Sequence, residues 1–149
     1  GRATIELVGG GTISVVSFHG TSGISLEEQQ CRVAQIAQVF DDIGDGLPGA
    51  TGDAAIIMGD LNTDPWRLRT VDASAAEWLR RTDETDFAFV SAVGPDAAPT
   101  YAGRVNIDHV LSDRYGGSCT APGVTEGVPP VLEAVFFDHK PIVCDLVAR

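Results

Sequence analysis

The sequence predicts a mixed α/β (α+β) domain in which short strands alternate with two helices. β-branched runs at 3–8 and 12–18 lie on either side of a glycine triplet, the pattern of a hairpin. A capped helical pattern occupies 26–43, and a continuous apolar run follows at 54–58. Because neither a sheet nor an amphipathic helix buries its apolar face alone, these elements must pack in layers. We therefore expect residues 1–149 to form a single folding unit.

The first helix has a start signal and a periodic face. Ser25 is followed three residues later by Glu28, which is the spacing of a capping box. Cys31 falls on the side opposite the apolar stripe, so its thiol is expected to face solvent or a segment outside this chain. The stripe consists of residues at helical spacing: Leu26, Val33, Ile36, Ala37 and Phe40.

Later segments complete the layered pattern. The run "AAIIM" at 54–58 is too short for a helix and contains no polar residue, which favours a central strand buried on both faces. A second helix is predicted at 72–81, where Asp72 lies near the start and Arg81 at the end, as the helix macrodipole prefers. Three further strands are predicted at 87–93, 106–112 and 141–147.

The composition narrows the class of protein. A net charge of −11 disfavours binding of nucleic acid or anionic lipid by charge alone, because neutralising phosphates requires clustered Lys and Arg. A phosphate ligand would then need a metal cation. No apolar stretch approaches the ~20 residues that cross a bilayer. The first ten residues lack the pattern of a secretory signal, although a signal could have been removed.

Three cysteines, Cys31, Cys119 and Cys144, leave two alternatives open. Cys119 lies in a glycine-rich segment, 115–123, that is predicted to be a loop, and Cys144 lies in the predicted strand 141–147. Either all three are buried, inert thiols, or Cys119 and Cys144 form a disulfide that encloses about 25 residues and contributes ~3 to 4 kcal/mol. An odd count also leaves a free thiol or one paired with another chain. The cysteines, the acidity and the single lysine, Lys140, favour a secreted or extracytoplasmic protein.

Polar side chains gather where the predicted strands meet loops. His19 lies in "SFHGTSG", His109 in "NIDHVL" and His139 in "FFDHKPI". Asp60 and Asn62 follow the apolar run 54–58 in "MGDLNTDP". Because α/β folds place ligands at strand ends, these four segments are candidates for a common site.

The residue types favour a metal-assisted reaction. Asp60 and Asp138 are candidate ligands for Mg²⁺, with Mn²⁺ and Ca²⁺ as alternatives, because hard cations take carboxylate oxygens and leave positions for water and phosphate.

The remaining polar residues suit hydrolysis of a phosphate ester. A carboxylate holds an adjoining imidazole in one tautomer, so Asp108 is the candidate orienter of His139, the candidate base for an attacking water. Asn62 would fix that water or a phosphoryl oxygen. His19 would donate a hydrogen bond to the phosphate or to the leaving oxygen.

Each segment also has a simpler interpretation when it is taken alone. "GDLNTDP" is a common turn sequence, and His139 could be an ordinary loop histidine. His109 falls within a predicted strand, so we expect it to serve packing or hydrogen bonding and not chemistry. The coincidence of four such segments favours a functional site.

The order of the segments resembles the endonuclease/exonuclease/phosphatase superfamily, to which deoxyribonuclease I belongs. The segments are "SFHGTSG", "IIMGDLNTDP", "PTYAGRVNIDHVL" and "FFDHKPIVCDL", from about residue 12 to the end of the chain. The resemblance implies a carboxy-terminal half of a four-layer α/β sandwich. It also implies these roles: His19 as phosphate contact, Asp60 and Asn62 as the "GD-x-N" pair, Asp108 as partner of the terminal His, Asp138 as metal-associated Asp, and His139 as general base.

The sequence departs from that family at its beginning. The family's amino-terminal half carries an early Asn and a Glu that is the principal metal ligand, and neither precedes residue 1 here. Glu27 and Glu28 cannot substitute, because they lie in the first turn of a helix and follow the His motif. We therefore expect a missing amino-terminal half, from the same precursor or a separate chain. Without it, apolar residues in 5–8, 13–18 and 54–58 should be widely exposed.

These observations lead to a function and two alternatives. The leading hypothesis is a divalent-metal-dependent hydrolase of phosphate esters, most of all phosphodiesters and including nucleic acids, that uses in-line attack by an activated water. This chain alone is expected to be incomplete and inactive. A non-catalytic half-domain or binding module that needs a partner segment is one alternative. A calcineurin-like metallophosphatase is the other, but its "GNH" segment is absent from the sequence.

Overall fold

The computed structural model describes residues 1–44, 46–130 and 138–149. Within these ranges the chain has a mixed α/β architecture, with a five-stranded mixed sheet, a two-stranded sheet and two helices. The fold class predicted from the alternating pattern is confirmed at this level. Residues 136–137, the first two of the closing motif, lie outside the described residues.

The elements follow one another as predicted, with shifted bounds. The larger sheet contains β1 (Arg2–Glu6), β2 (Thr12–His19), β3 (Ala54–Asp60), β4 (Ala88–Phe89) and β5 (Asp108–Ser112). The smaller sheet contains β6 (Tyr115–Thr120) and β7 (Val143–Ala148), and the helices are α1 (Leu26–Phe40) and α2 (Ala73–Glu84). The order in the larger sheet is β1-β2-β3-β5-β4, with β2 and β3 parallel and the other neighbours antiparallel.

Helix α1 confirms its predicted start but not its predicted end. Ser25 and Glu28 form the complete capping box. The helix ends at Phe40 and not at residue 43, because the Asp42 carboxylate accepts hydrogen bonds from the N–H groups of Gly44 and Gly46 and forms a turn instead. Leu26, predicted on the apolar stripe, is 66 % exposed, which corrects that assignment.

The core lies between the larger sheet and the two helices. Trp78 of α2 is fully buried, and its ring packs edge-on against Phe18 of β2 and Phe40 of α1. Such aromatic pairs stabilise beyond the area they bury. The buried cluster around them comprises Val16, Ile36, Val39, Ala55, Ile57, Leu61, Phe87 and Leu111.

The opposite face of the sheet is only partly covered. Ile5 is 49 % exposed, and Leu7 and Val8 of the hairpin turn are exposed too, as predicted. Residues 54–57 are buried, and so are Val16 and Phe18 of β2, so the predicted exposure of 13–18 and 54–58 is wrong at these positions. The prediction of a central strand buried on both faces is confirmed for 54–57. Met58, at 38 %, is the exposed member of that run. A covering amino-terminal half stays a prediction.

The smaller sheet corrects one prediction and confirms another. The glycine-rich segment 115–120, interpreted as a loop, forms strand β6. A Cβ on Gly117 would lie 1.9 Å from the carbonyl oxygen of Asp145, so this close approach requires glycine. The register pairs Cys119 with Cys144, and the two form a disulfide. Cys31 is free and exposed.

Three strands are shorter than predicted. The run 87–93 is reduced to Ala88–Phe89, because the N–H groups of Val90 and Ser91 both point to the carbonyl of Val110 and interrupt the ladder. The predicted strands 106–112 and 141–147 begin at Asp108 and Val143. In the described part of the chain, no helix has the length and apolarity to cross a membrane.

A buried guanidinium joins the helices to the loops. Arg32 of α1 is 1 % exposed, and its Nη1 donates to the carbonyl oxygens of Thr21 and Gly23 at 2.7 and 2.8 Å. Its Nη2 donates to Asp72 at 2.8 Å, and its Nε donates to Ser74 at 2.8 Å. Asp72 in turn caps α2, so one side chain fixes both helices and the loop that follows β2.

Replacing Arg32 with Ala should lower the free energy of unfolding by about 3–5 kcal/mol, because Asp72 would stay buried without its counter-charge. The measurement is urea unfolding followed by circular dichroism. The control is Arg80→Ala, which removes an exposed guanidinium paired with Glu77 and Glu84 on α2. That variant should lose less than about 1 kcal/mol. Equal losses in the two variants would contradict the role of Arg32.

Candidate functional site

The register of three strands aligns three of the predicted site residues. His19 at the end of β2 is paired with Asp60 at the end of β3, and Asp60 is paired with Asp108 at the start of β5. Residues paired directly across a sheet project from the same face. The side chains of His19, Asp60 and Asp108 therefore form a row along one edge of the sheet.

His139 completes this row from the segment that precedes β7. Its Nδ1 lies 3.0 Å from Oδ2 of Asp108, and its Nε2 lies 3.8 Å from Oδ2 of Asp60. The Nε2 of His19 approaches the same Asp60 oxygen at 3.7 Å. The two imidazoles thus approach the same carboxylate oxygen, although they are separated by 120 positions in the sequence.

Asn62 holds the end of β3 in a turn. Its main-chain N–H donates to Oδ1 of Asp60 at 2.7 Å, and its side-chain amide donates to Oδ2 of Asp60 at 3.0 Å and to the carbonyl of Gly20 at 2.9 Å. Its φ is +50°, a left-handed conformation that Asn tolerates better than most residues. The strand pleat therefore ends at Asp60, and the interpretation of "GDLNTDP" as a turn is correct alongside its place in the site.

A glycine lets the ends of β2 and β3 approach closely. A Cβ on Gly20 would lie 2.5 Å from the carbonyl oxygen of Leu61, so any other residue would push the two loops apart. The Gly20 N–H donates to the carbonyl of Asp60 at 2.9 Å. This contact fixes the position of His19 relative to Asp60.

The surroundings of Asp60 disfavour its charged form. Burial raises the pKa of the Asp60 carboxyl above its ordinary value, and the charge of Asp108 raises it further. The Asn62 N–H and the two imidazoles act in the opposite direction. A half-buried carboxylate facing a second carboxylate is destabilised unless a positive charge lies nearby.

His139 has the surroundings of a base. Burial lowers its pKa, but the hydrogen bond and the charge of Asp108 outweigh that effect, and Asp60 and Asp138 add to it, so the pKa lies above the ordinary value. Because a carboxylate can only accept, Nδ1 carries the proton that is shared with Asp108. The lone pair on Nε2 is left to take a proton from another molecule.

The cluster has the donor set of a divalent-cation site. Ligand atoms of Asp60, Asp108 and His139 all lie within 4.8 Å of one another. Carboxylate oxygens with one imidazole suit Mg²⁺ or Mn²⁺ better than a soft metal. Among the described residues Asp138 is exposed and lies outside this group, so its role as a ligand stays a prediction.

His109 belongs to the core, as expected. It is 2 % exposed, its Nε2 donates to the carbonyl of Asn106 at 2.9 Å, and its Nδ1 accepts from the Ser91 hydroxyl at 2.9 Å. Burial lowers its pKa to about 4. The ring is therefore neutral and structural, and it takes no part in the site.

The structure adds two residues that the sequence interpretation left without a role. The ring of Tyr101 packs against that of His139, with 4.7 Å between ring centres. Thr100, fully buried, accepts the N–H groups of Ile107 and Asp108. Both belong to the segment "PTYAGRVNIDHVL", but in that segment only the Asp and the His gave a chemical signal.

An apolar cleft lies between the two sheets, beside the Asp108–His139 pair. Its volume is about 680 Å³. Its apolar lining includes Met58, Val110, Pro130, Ile142 and Leu146.

Comparison of the chain with models of protein families, with curated proteins and with solved structures finds no match.

Replacing Asp108 with Asn should lower the pKa of His139 in the metal-free protein, because burial would then act with less opposition. The measurement is an NMR titration of the imidazole C–H signals in the presence of chelator. His139 should titrate above, and His109 well below, the ordinary value of about 6.5. The control is Asp96→Asn, which removes an equal charge from an exposed loop. An unchanged pKa of His139 in Asp108→Asn would contradict the pairing.

Proposed function

We propose that this chain is the carboxy-terminal half of an endonuclease/exonuclease/phosphatase domain, and that the complete domain hydrolyses phosphate esters, chiefly phosphodiesters, with a divalent cation. One observation carries the proposal: the approach of His19 and His139 to the same oxygen of Asp60, with Asp108 on the far side of His139. A non-catalytic module has no need of two imidazoles and two carboxylates in this arrangement.

The charge of the site supports the requirement for a cation. The carboxylates of Asp60, Asp108 and Asp138 all lie near enough to His139 to act on its charge. A phosphodiester is an anion, so these carboxylates would repel it. Asp60, with Asp138, would hold Mg²⁺, Mn²⁺ or Ca²⁺. When bound, the cation supplies positive charge to the ester oxygens. The early Glu and Asn implied by the family resemblance would come from the missing half.

The described side chains can divide the reaction among them. Nε2 of His139 takes a proton from water, while Asp108 holds Nδ1 and stabilises the imidazolium that forms. The water oxygen bonds to phosphorus as the bond from phosphorus to the leaving oxygen breaks. The turn uses the main-chain N–H and the amide nitrogen of Asn62, and Oδ1 of the same side chain orients the water. His19, whose side chain is 78 % exposed, donates to the phosphate as charge builds there.

The distribution of arginines supports a small or short substrate over a long nucleic acid. Arg67 pairs with Asp64, and Arg81 pairs with Asp41 and Glu77, so these guanidinium groups are already neutralised. The net charge of −11 adds to this. Nucleic acid remains a substrate only if the missing half supplies a basic surface.

The two-sheet arrangement supports the proposed four-layer sandwich. The helices cover one face of the larger sheet, and β6 and β7 stand beyond the opposite face across the cleft. In the proposed domain the amino-terminal half would extend the smaller sheet and cover the exposed residues around Ile5 and Met58. The disulfide is typical of an oxidising compartment, and we infer secretion or export from it.

Hydrolysis of bis(p-nitrophenyl) phosphate by the full-length protein should require Mg²⁺ and stop on addition of EDTA. His139→Ala should lower kcat/KM by at least about 100-fold, because it removes the proton acceptor. The control is Glu27→Gln, which removes an exposed carboxylate from the first turn of α1.

Two results would overturn the proposal. One is hydrolysis that is insensitive to EDTA, and the other is a loss smaller than about tenfold in His139→Ala. Calorimetric titration with Mg²⁺ then separates the alternatives. Binding that Asp60→Asn abolishes, without any hydrolysis, would identify a binding module in place of a hydrolase.

A further inference from the structure

We propose that Thr100 is a positioning residue that sets the geometry between Asp108 and His139. The proposal deepens the proposed function and rests on it for the assignment of His139 as base. Asp108 and His139 come from segments 31 positions apart in the sequence, so some contact must fix their separation. Thr100 bonds directly to both segments.

The side chain of Thr100 holds the segment that carries Asp108. Its Oγ1 accepts two main-chain N–H groups, from Ile107 and Asp108, each at 3.1 Å. Thr100 is 1 % exposed, so water cannot replace this oxygen. Because a buried N–H without an acceptor is costly, the start of β5 is fixed to the Thr100 hydroxyl.

The main chain of Thr100 holds the segment that carries His139. Its carbonyl oxygen accepts the N–H of Lys140 at 2.7 Å, and the Ala102 N–H donates to the carbonyl of Asp138 at 3.3 Å. These two bonds flank the antiparallel pair of Tyr101 and His139. The segment 100–102 therefore joins 138–140 on one side and 107–108 on the other.

The segment is itself held in a tight turn. The N–H groups of Thr100 and Tyr101 both donate to the carbonyl of Val105 at 3.0 Å, which closes a tight turn. Ala102 lies in that turn with a φ of +49°, a conformation that a residue other than glycine keeps only when its surroundings enforce it. The ring of Tyr101 rests on that of His139. A shift of Thr100 would therefore move the imidazole relative to Asp108.

The first test reads the tautomer of His139 by ¹⁵N NMR of the metal-free protein, at a fixed alkaline pH where the ring is neutral. The wild-type ring should carry its proton on Nδ1. Thr100→Val keeps the shape but removes the acceptor, and both tautomers should then be populated. Thr100→Ser keeps the oxygen and should retain the wild-type spectrum. The control is Thr85→Val, which removes a hydroxyl that accepts the Phe87 N–H at the end of α2.

The second test measures steady-state hydrolysis by the full-length protein. Thr100→Val should lower kcat about 10–100-fold with KM changed less than about threefold, the effect expected of an outer partner of a reacting group. Thr100→Ser should lie within about threefold of wild type in both constants. If Thr100→Val does not fold, Thr100→Cys keeps a weak acceptor of similar size and should show a smaller change in the same direction.

The outcomes distinguish failure of the positioning role of Thr100 from failure of the proposed function. An unchanged His139 tautomer in Thr100→Val, or an equal change in Thr85→Val, would overturn the positioning role whatever the activity is. A wild-type protein that hydrolyses no phosphodiester would overturn the proposed function, while the NMR comparison would still decide how Thr100 acts on the pair.

Discussion

The pairing of β2, β3 and β5 at one edge of the sheet is the constraint on which the site depends. His19, Asp60 and Asp108 stand directly opposite one another because the strand ends are in register. A shift of one residue in either pairing would turn one of these side chains to the helical face. The Gly20 contact and the Asn62 amide stabilise the pairing of β2 with β3, because each joins the end of one strand to the end of the other.

The buried Arg32 holds in place the loops at the same end of the sheet. Its guanidinium holds the carbonyl groups of the loop after β2, and Asp72, which it also binds, accepts the Thr63 hydroxyl in the loop after β3. Burying a guanidinium costs solvation free energy, and the hydrogen bonds of Arg32 and the charge of Asp72 offset that cost. The loop that follows His19 and the loop that carries Asn62 are thus fixed through the helices, so the site is preorganised.

The sequence predicted every helix and strand except β6, their order and most of the polar residues that converge, because strand runs and capping signals are local. The convergence of His19, Asp60, Asp108 and His139 was predicted from the four motifs taken together. Local patterns did not predict β6, because glycine in a strand is explained only by the close approach of β7. They also gave no role to Arg32 or Thr100, whose partners lie far away or in the main chain.

The disulfide restrains the segment that carries His139, but not His19, Asp60 or Asp108. Asp138 and His139 lie inside the loop that Cys119 and Cys144 close, whereas His19, Asp60 and Asp108 lie outside it. Closing that loop reduces the freedom of the segment that delivers the imidazole, even before the rest of the fold restrains it. Reduction of the disulfide would therefore increase the freedom of the segment that carries His139 and leave the aligned row on the larger sheet in place.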